Sequence, residues 1–367
     1  RGAQDDKGPT VAVLHAMAIV QRLGVPLERK VRLIVGTSEE NMDWRDLDAV
    51  TAAGLVPADG FTADAGFPVI HAEKSFMDAR VRFAGGADPV LESMAGGSVP
   101  NAVPESATAT LRVAEPAAAL ALLQRTIALH AEAHAQARVE VAAQAGVLVV
   151  RAHGKAAHGS RPHDGVNALA HLAAVLYQAM TPLGIDADSA AGRALRFLGE
   201  RVATETDGAS LGLLREHPVM GATTVNLGVL DTAAEGVTLA LNIRLPVGLA
   251  LAQQRAALEQ ATSAYGGQLL TARGMDALWM DPHAPLVQRL LRVYRGMTGD
   301  LREPLSIGGT TYAKAFPGFV AFGMGLPDAP PGAHALDERL PLDHLERGIA
   351  IYAAALLDLA AGVSVVP

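Results

Sequence analysis

Helix and strand patterns alternate at both ends of the chain, and this alternation constrains the fold more than any other feature. After Pro9, a residue suited to the first position of a helix, apolar side chains recur at helical spacing, and the mostly apolar segment Val31–Val35 is predicted to be a short strand. Near the other end, helix patterns at Leu286–Met297 and Leu342–Ala360 enclose a strand pattern at Gly318–Met324. Alternating helices and strands predict a sheet covered by helices. The apolar face predicted for the first helix comprises Val11, Leu14, Met17 and Ala18.

A long stretch of different texture separates these two ends. At 367 residues the chain exceeds one ordinary domain. We therefore predict one α/β domain, formed by residues 1–72 and 281–367, that is interrupted by an α+β domain at residues 73–280. The elements predicted within the interruption are strands Met77–Phe83, Ala107–Val113, Val147–Ala152 and Val237–Leu245 and helices Ala118–Ala137 and Val166–Met180.

A faint internal repeat lies within the predicted insert. The segment Val99–Glu105 precedes the strand pattern Ala107–Val113, and Val225–Leu230 precedes the strand pattern Val237–Leu245. The repeat predicts that the insert consists of two related half-units.

Composition excludes several classes of protein and of site. Half of the residues are apolar, 19% are charged and the formal net charge is −8, which is typical of a soluble globular protein with a large core. Lys and Arg are scattered, so nucleic acid is not expected as a partner, and no apolar run is long enough for a membrane span. Because the chain has no Cys, any metal must be held by His and carboxylates, and we expect a cytoplasmic protein.

Acidic side chains lie next to the predicted strands, where binding sites are common. Glu39 and Glu40 come four and five positions after Val35, the end of the predicted strand, and Asp64 lies just before another apolar segment. Sites in open α/β sheets gather outside the carboxyl ends of the strands. Asp5 lies just before the first predicted helix. Each acid alone has a common structural explanation, a helix cap for Asp5 and a solvated loop for Glu39 and Glu40.

Together with His334, these acids match the needs of a two-metal hydrolase. Such a site needs carboxylate and imidazole ligands for two divalent ions and a separate carboxylate that accepts a proton from water. Glu39 would be that general base. For His334 alone, an ordinary surface position is the simpler interpretation. The ligands would be Asp5, Glu40, Asp64 and His334.

Other candidate side chains have less specific patterns. His130 and His134 lie on one predicted helix, but no Glu follows the first His directly as in a zinc-binding helix, so a solvated helix face is predicted for both. His158 lies in a loop of small residues, where substrate contact and a purely structural role are both open. The turn Gly308–Tyr312 could hold an anion through its backbone N–H groups.

Four segments carry a family resemblance, and in chain order they are Arg1–Pro9, Gly36–Asn41, Phe61–Ile70 and Gly332–His334. They resemble the aminoacylase/carboxypeptidase-like co-catalytic metallopeptidase superfamily, and within it the peptidase V-type dipeptidases. The resemblance covers essentially the whole chain. It implies that Asp5 bridges two metal ions and that Glu39 is the general base. The further ligands that it implies are Glu40, Asp64 and His334.

The same resemblance implies a fold and further roles. The fold is a mixed-sheet phosphorylase/hydrolase-like catalytic domain interrupted by a large α+β lid domain. Asn101 would contact the substrate, His158 would stabilise the oxyanion, and Arg244 would hold the substrate's free carboxylate. A monomer is expected, because a long lid can supply His158 within one chain. The Gly-rich turn resembles a family turn that binds substrate, through Gly308, Gly309 and Thr310.

One feature of the family is missing from this sequence. Members of the family have a His-x-Asp segment upstream of the bridging Asp, and its His binds the same metal as Asp64. The sequence begins downstream of that segment, at Arg1–Pro9, which contains neither a Met nor a signal-peptide pattern. We therefore expect a further segment upstream, and we expect one metal site to lack a ligand without it.

The expected activity is that of a cytoplasmic metalloprotease that hydrolyses dipeptides or short peptides. Two divalent ions are expected as cofactors, zinc first, with manganese or cobalt as alternatives. An N-acyl amino acid deacylase on the same fold is one alternative, and a non-catalytic peptide-binding homologue is another. The segment Asn41–Asp46 and the long insert favour the dipeptidase, while the general base Glu39 argues against the non-catalytic homologue.

Overall fold

The computed structural model describes residues 2–40, 44–329 and 337–362. The chain divides into two compact units. The first unit comprises Arg1–Glu73 and Leu278–Pro367, and the second unit comprises Lys74–Ala277. The predicted ligand His334 lies outside the described residues.

Helices and strands of both units are numbered here in chain order. The α-helices α1 to α8 of the described residues are Gly8–Leu23, Arg45–Ala52, Pro116–Ala133, Ala168–Leu183, Ala190–Phe197, Leu251–Ser263, Pro285–Thr298 and Leu342–Ala361. The strands β1 to β17 are Gly60–Thr62, Ala65–Gly66, Ile70–Glu73, Phe76–Ala84, Leu91–Gly96, Ser106–Leu111, Arg138–Gln144, Val147–His153, Glu216–His217, Gly221–Ala222, Thr224–Ala233, Gly236–Arg244, Gly267–Met275, Leu278–Trp279, Leu305–Ile307, Phe319–Ala321 and Met324–Gly325.

The first unit contains a mixed sheet with the order β1-β16-β3-β14, and β15 also pairs with β3. The pairs β1–β16 and β15–β3 are parallel, whereas β16–β3 and β14–β3 are antiparallel. Aromatic rings form the centre of its core: the centroids of Phe67 and Phe322 are 4.9 Å apart, and those of Phe67 and Tyr294 are 5.1 Å apart. The predicted α/β class with a mixed sheet is confirmed for this unit.

Helix α1 of the first unit packs along α8 with a face of small residues. Ala12 and Ala16 are fully buried, and Val20 is nearly so. The predicted apolar face was wrong at Val11 and Leu14, which are 43% and 56% exposed. Small side chains let the α1 backbone approach the alanine-rich α8 closely. Close helix packing therefore buries the face with the small residues and leaves the larger apolar side chains outside.

The second unit contains an eight-stranded sheet with the order β13-β4-β12-β11-β5-β6-β8-β7. Every pairing in it is antiparallel. Helix α4 is largely apolar, and most of its residues are buried in the core that also includes residues of the sheet. The second unit therefore has the α+β class that was predicted for the insert. The segment Val225–Leu230, predicted to precede a strand, is itself part of β11.

The predicted strand Val31–Val35 was wrong. It has no strand pairing within the ranges that the structure describes. A strand needs a neighbour that accepts and donates its backbone hydrogen bonds, and an apolar sequence alone does not supply one. These residues instead line a cavity of the first unit.

No helix in the described ranges is both long and apolar enough to cross a membrane.

Candidate active site

Four of the predicted acidic residues line one cavity of about 640 Å³ in the first unit. Asp5 lies in an irregular helical turn just before α1, and Asp64 lies between β1 and β2. Glu39 and Glu40 lie in the loop before α2. The structure thus brings together residues from three separate segments. These four acids form the carboxylate cluster.

Burial and the repulsion of neighbouring carboxylates raise the pKa values of two members of the carboxylate cluster, Asp64 and Glu39. Burial raises the pKa of Asp64 to about 7, with further increases from the charges of Asp5, Glu40 and Glu73 and from a hydrogen bond with Asp5. Burial likewise raises the pKa of Glu39 to about 8, helped by the same negative neighbours and by Asp64. Each carboxylate added to a buried group makes ionisation of the others harder. The cluster therefore favours the binding of protons or cations.

Asp6 is a member of this acidic region that the sequence did not single out. Burial raises its pKa to about 8, and the charges of Asp64 and Asp5 add to the effect, although a hydrogen bond from Thr10 opposes it. Burial and the charges of Asp6 and Asp64 also raise the pKa of the Tyr352 hydroxyl well above its usual value. The acidic character of the cavity thus extends beyond the four predicted residues.

Glu73 connects the Gly-rich turn to the carboxylate cluster. Its side chain is fully buried, and the Thr311 backbone N–H and hydroxyl donate to its two carboxylate oxygens at 3.0 and 2.6 Å. The charge of Glu73 contributes to the raised pKa values of Glu39 and Asp64. In the turn itself, Lys314 Nζ donates to Thr310 Oγ1 at 3.0 Å. The sequence did not identify Glu73 as a site residue, because it lies at a predicted domain boundary and in no recognisable motif.

The loop that carries Glu39 and Glu40 is held by neighbours that are distant in sequence. Asp46 accepts hydrogen bonds from the Tyr312 hydroxyl at 2.6 Å and from the Thr37 backbone N–H at 2.7 Å. Trp44 Nε1 donates to the Glu39 carbonyl oxygen at 3.1 Å. The Tyr312 side chain therefore fixes the loop from the far end of the chain.

Two residues of the second unit lie beside each other: Asn101, predicted to bind substrate, and His158, predicted to stabilise the oxyanion. The Gly159 backbone N–H donates to the Asn101 carbonyl oxygen at 2.7 Å, and Ala102 forms an isolated β-bridge with His158. His158 Nδ1 is 2.7 Å from the Ser160 hydroxyl oxygen. Backbone pairing thus joins the two loops that carry these residues.

Arg244 lies at the end of β12 in the same unit. It is 7% exposed, its Nε donates to Asn242 Oδ1 at 3.1 Å, and its guanidinium lies 5.2 Å from the centre of the Phe76 ring. Its register partner Thr224 donates a hydrogen bond of 3.3 Å to the Ser160 carbonyl oxygen. The structure therefore places Arg244 near the loop that carries His158.

The solvated helix face predicted for His130 and His134 was wrong for His130. That side chain is 4% exposed, and its Nε2 lies 2.9 Å from Nδ1 of His171 on α4. The His134 ring centroid is 4.6 Å from that of His130. Spacing on α3 alone could not reveal a partner from a second helix.

Within the part of the chain that the structure describes, no three His, Asp or Glu side chains are arranged to hold a metal ion. The predicted imidazole ligand His334 is outside that part, as is the rest of its segment. The chemistry that the described acids can support is nevertheless specific, because oxygen donors gathered in one cavity suit hard divalent cations.

Comparisons with known proteins match nearly the full length of this chain. A family model described as peptidase family M20/M25/M40 matches residues 1–358. The Bacillus subtilis protein named "Putative dipeptidase YtjP" is 33% identical over 98% of this chain and 76% of its own length. The Staphylococcus aureus protein named "Putative dipeptidase SAB1611c" is 30% identical over 98% of this chain and 76% of its own length.

Solved structures share the fold. A metallo-carboxypeptidase from Sulfolobus solfataricus superposes on this chain with a TM-score of 0.52 and is 16% identical to it. The match covers 97% of this chain and 76% of the carboxypeptidase chain. Human carnosine dipeptidase 1 superposes on this chain with a TM-score of 0.50 and is 15% identical to it. The match covers 99% of this chain and 73% of the human chain.

Proposed function

Because the chain belongs to the peptidase family M20/M25/M40 and is a peptide hydrolase, we propose that it hydrolyses dipeptides at the carboxylate cluster with the help of two divalent metal ions. Family membership confirms the resemblance found in the sequence. The comparisons do not favour the N-acyl amino acid deacylase. The observation that carries the proposal is the convergence of Asp5, Glu39, Glu40 and Asp64 in one cavity.

The chemistry of the cluster supports divalent cations as cofactors. Burial, reinforced by the repulsion of neighbouring carboxylates, raises the pKa of Asp64 to about 7 and that of Glu39 to about 8. Bound cations would relieve that repulsion, and we propose Asp5, Glu40, Asp64 and His334 as ligands. When bound, divalent ions polarise a carbonyl group and lower the pKa of water. Zinc is the first candidate, and manganese and cobalt are the alternatives.

Glu39 is proposed as the general base. It takes a proton from the attacking water and delivers it to the nitrogen of the leaving amine. A positioned carboxylate can accept a proton from water during the reaction. Glu39 lines the same cavity as the proposed ligands Asp5, Glu40 and Asp64, and the hydrogen bond from Trp44 Nε1 to its carbonyl oxygen holds its backbone in place.

Roles toward the substrate are proposed for the remaining candidate residues. Arg244 would pair with the free carboxylate of the dipeptide, because a guanidinium can donate two parallel hydrogen bonds to it. His158 would stabilise the oxyanion, and Asn101 would contact the substrate beside it. The turn that contains Gly308, Gly309 and Thr310 would contribute further contacts. The second unit is proposed to be the lid domain, and the protein is proposed to be a cytoplasmic monomer.

A substrate panel tests the proposal. The protein is treated with a chelator and then supplied with Zn²⁺, Mn²⁺ or Co²⁺. Hydrolysis of dipeptides is then measured beside that of N-acetyl and N-succinyl amino acids. We expect metal-dependent hydrolysis of dipeptides in preference to both acylated series. Preferential deacylation would support the alternative enzyme, and peptide binding without hydrolysis would support the non-catalytic homologue.

A further inference from the structure

The segment that carries Asp5 has an irregular backbone. It lies in a helical turn, Ala3–Lys7, in which Asp5 has φ −132° and ψ 97° and Asp6 has φ −134° and ψ 22°. These angles are not helical, so a regular helix does not define where the Asp5 carboxylate points. Other contacts must hold this backbone in place.

Glu338 provides three such contacts with one carboxylate. Its Oε1 accepts hydrogen bonds from the backbone N–H groups of Gln4 at 2.6 Å and Asp5 at 2.8 Å. Its Oε2 accepts a hydrogen bond from the Gly2 backbone N–H at 2.8 Å. Glu338 is 9% exposed, and it lies 336 residues from Gly2 in the sequence. A charged acceptor on a backbone N–H forms a stronger hydrogen bond than a neutral one.

A second contact joins the same two segments. Gly8, the first residue of α1, has no room for a side chain, because an added Cβ would lie 2.4 Å from Leu340 Cδ2 and 2.3 Å from the Ala3 carbonyl oxygen. The segment around Glu338 therefore packs tightly against the start of α1 as well as bonding to the turn before it.

We propose that Glu338 is a positioning residue that orients the Asp5 carboxylate for metal binding. It does so through the backbone of residues 2–5 and without touching the metal itself. The inference rests on the proposed metal-binding role of Asp5. Groups that orient metal ligands from outside the coordination sphere commonly change metal affinity or activity by about 10- to 100-fold when removed. Glu338 also follows His334 by four residues, so one short segment carries both a proposed ligand and the group that positions another.

Mn²⁺ binding to graded variants tests this role. Free Mn²⁺ is measured by its EPR signal during titration of wild type, Glu338→Gln and Glu338→Ala. We expect Glu338→Ala to weaken Mn²⁺ binding by about tenfold or more. Glu338→Gln should weaken binding less, because its amide oxygen can still accept from Gln4 and Asp5. The matched control is Asp337→Asn, whose carboxylate is 76% exposed and pairs with Arg339, and it should bind Mn²⁺ like wild type.

Backbone amide exchange in the metal-free protein gives a second readout. The amides of Gln4 and Asp5 should be protected in wild type and in Asp337→Asn, partly protected in Glu338→Gln, and exposed in Glu338→Ala. If Glu338→Ala fails to fold, the wild-type and Glu338→Gln measurements still decide. Unprotected amides in wild type would overturn the proposal, as would a folded Glu338→Ala that binds Mn²⁺ like wild type. A wild-type protein that binds no Mn²⁺ but protects these amides would contradict the metal site and not the hold of Glu338 on this backbone.

Discussion

Thr311 and Glu73 show, at the scale of single residues, how a buried acid is kept beside the carboxylate cluster. Glu73 is fully buried and accepts from both the backbone N–H and the hydroxyl of Thr311. Burying a carboxylate is unfavourable unless hydrogen bonds compensate it. The Gly-rich turn that contains Thr311 is thereby bonded to an acid whose charge acts on Glu39 and Asp64.

Replacing Thr311 with Val removes the hydroxyl donor while nearly preserving shape. Because a hydrogen bond to a charged group is lost inside the protein, we expect Thr311→Val to lower the free energy of unfolding by about 1–3 kcal/mol. Denaturant unfolding measures this change. The control is Thr51→Val at an exposed position of α2, which should change the free energy of unfolding by less than about 0.5 kcal/mol. Equal effects of the two substitutions would contradict the account.

The sequence identified the acids of the cluster but not the residues that hold them. Asp5, Glu39, Glu40 and Asp64 could be found because each lies next to a recognisable helix or strand pattern. Their partners lie far away in the chain: the hydrogen bond from Gln4 to Glu338 spans 334 residues. No local pattern encodes such a pair, so it becomes visible only in the folded chain.

At the scale of elements, long periodic helices were predictable and pairing was not. The predicted helices Leu286–Met297 and Leu342–Ala360 form as α7 and α8 with slightly shifted ends. The predicted strand Val31–Val35 failed because a strand depends on a partner strand that its own sequence does not specify. The burial of His130 was missed for the same kind of reason, because α4 supplies its neighbour.

The histidines between α3 and α4 should make the stability of the second unit depend on pH under acidic conditions. Burial and the charges of the other two imidazoles lower the pKa of His171 to about 4, and burial and His134 lower the pKa of His130. An unfolded His titrates near about 6.5, so the unfolded chain binds more protons than the folded one between about pH 6.5 and pH 4. The contribution of these residues to stability is therefore fully present above about pH 6.5 and is lost as pH falls toward about 4.

The variant His171→Gln tests this pH dependence, because it retains hydrogen-bonding groups but cannot gain a proton. Unfolding of the second unit, followed by amide exchange in α3 and α4, should depend less on pH between about 4 and 6.5 in this variant than in wild type. His163→Gln replaces an exposed histidine of the same unit and should keep the wild-type dependence. An unchanged pH dependence in His171→Gln would show that the cluster does not control acid stability.

At the scale of the whole molecule, each unit has its own hydrophobic core. The proposed metal ligands all belong to the first unit, so metal binding should stabilise that unit directly. At a free Mn²⁺ concentration one hundred times the dissociation constant, we expect a stabilisation of about 2.7 kcal/mol per site. Amide exchange of α1 and β1–β3 should slow accordingly. The Asp64→Asn variant should lose most of this effect, and an equal Mn²⁺ response in both proteins would contradict the proposed ligand set.

The most direct measurement compares wild type with Glu39→Gln for both metal content, by mass spectrometry, and dipeptide hydrolysis. Because Glu39 is proposed to move a proton and not to hold a metal, we expect the variant to retain wild-type metal content. Its rate of hydrolysis should fall by about 100-fold or more, the usual contribution of a general base. Loss of metal together with activity would contradict the role of Glu39, and undiminished hydrolysis would contradict the mechanism.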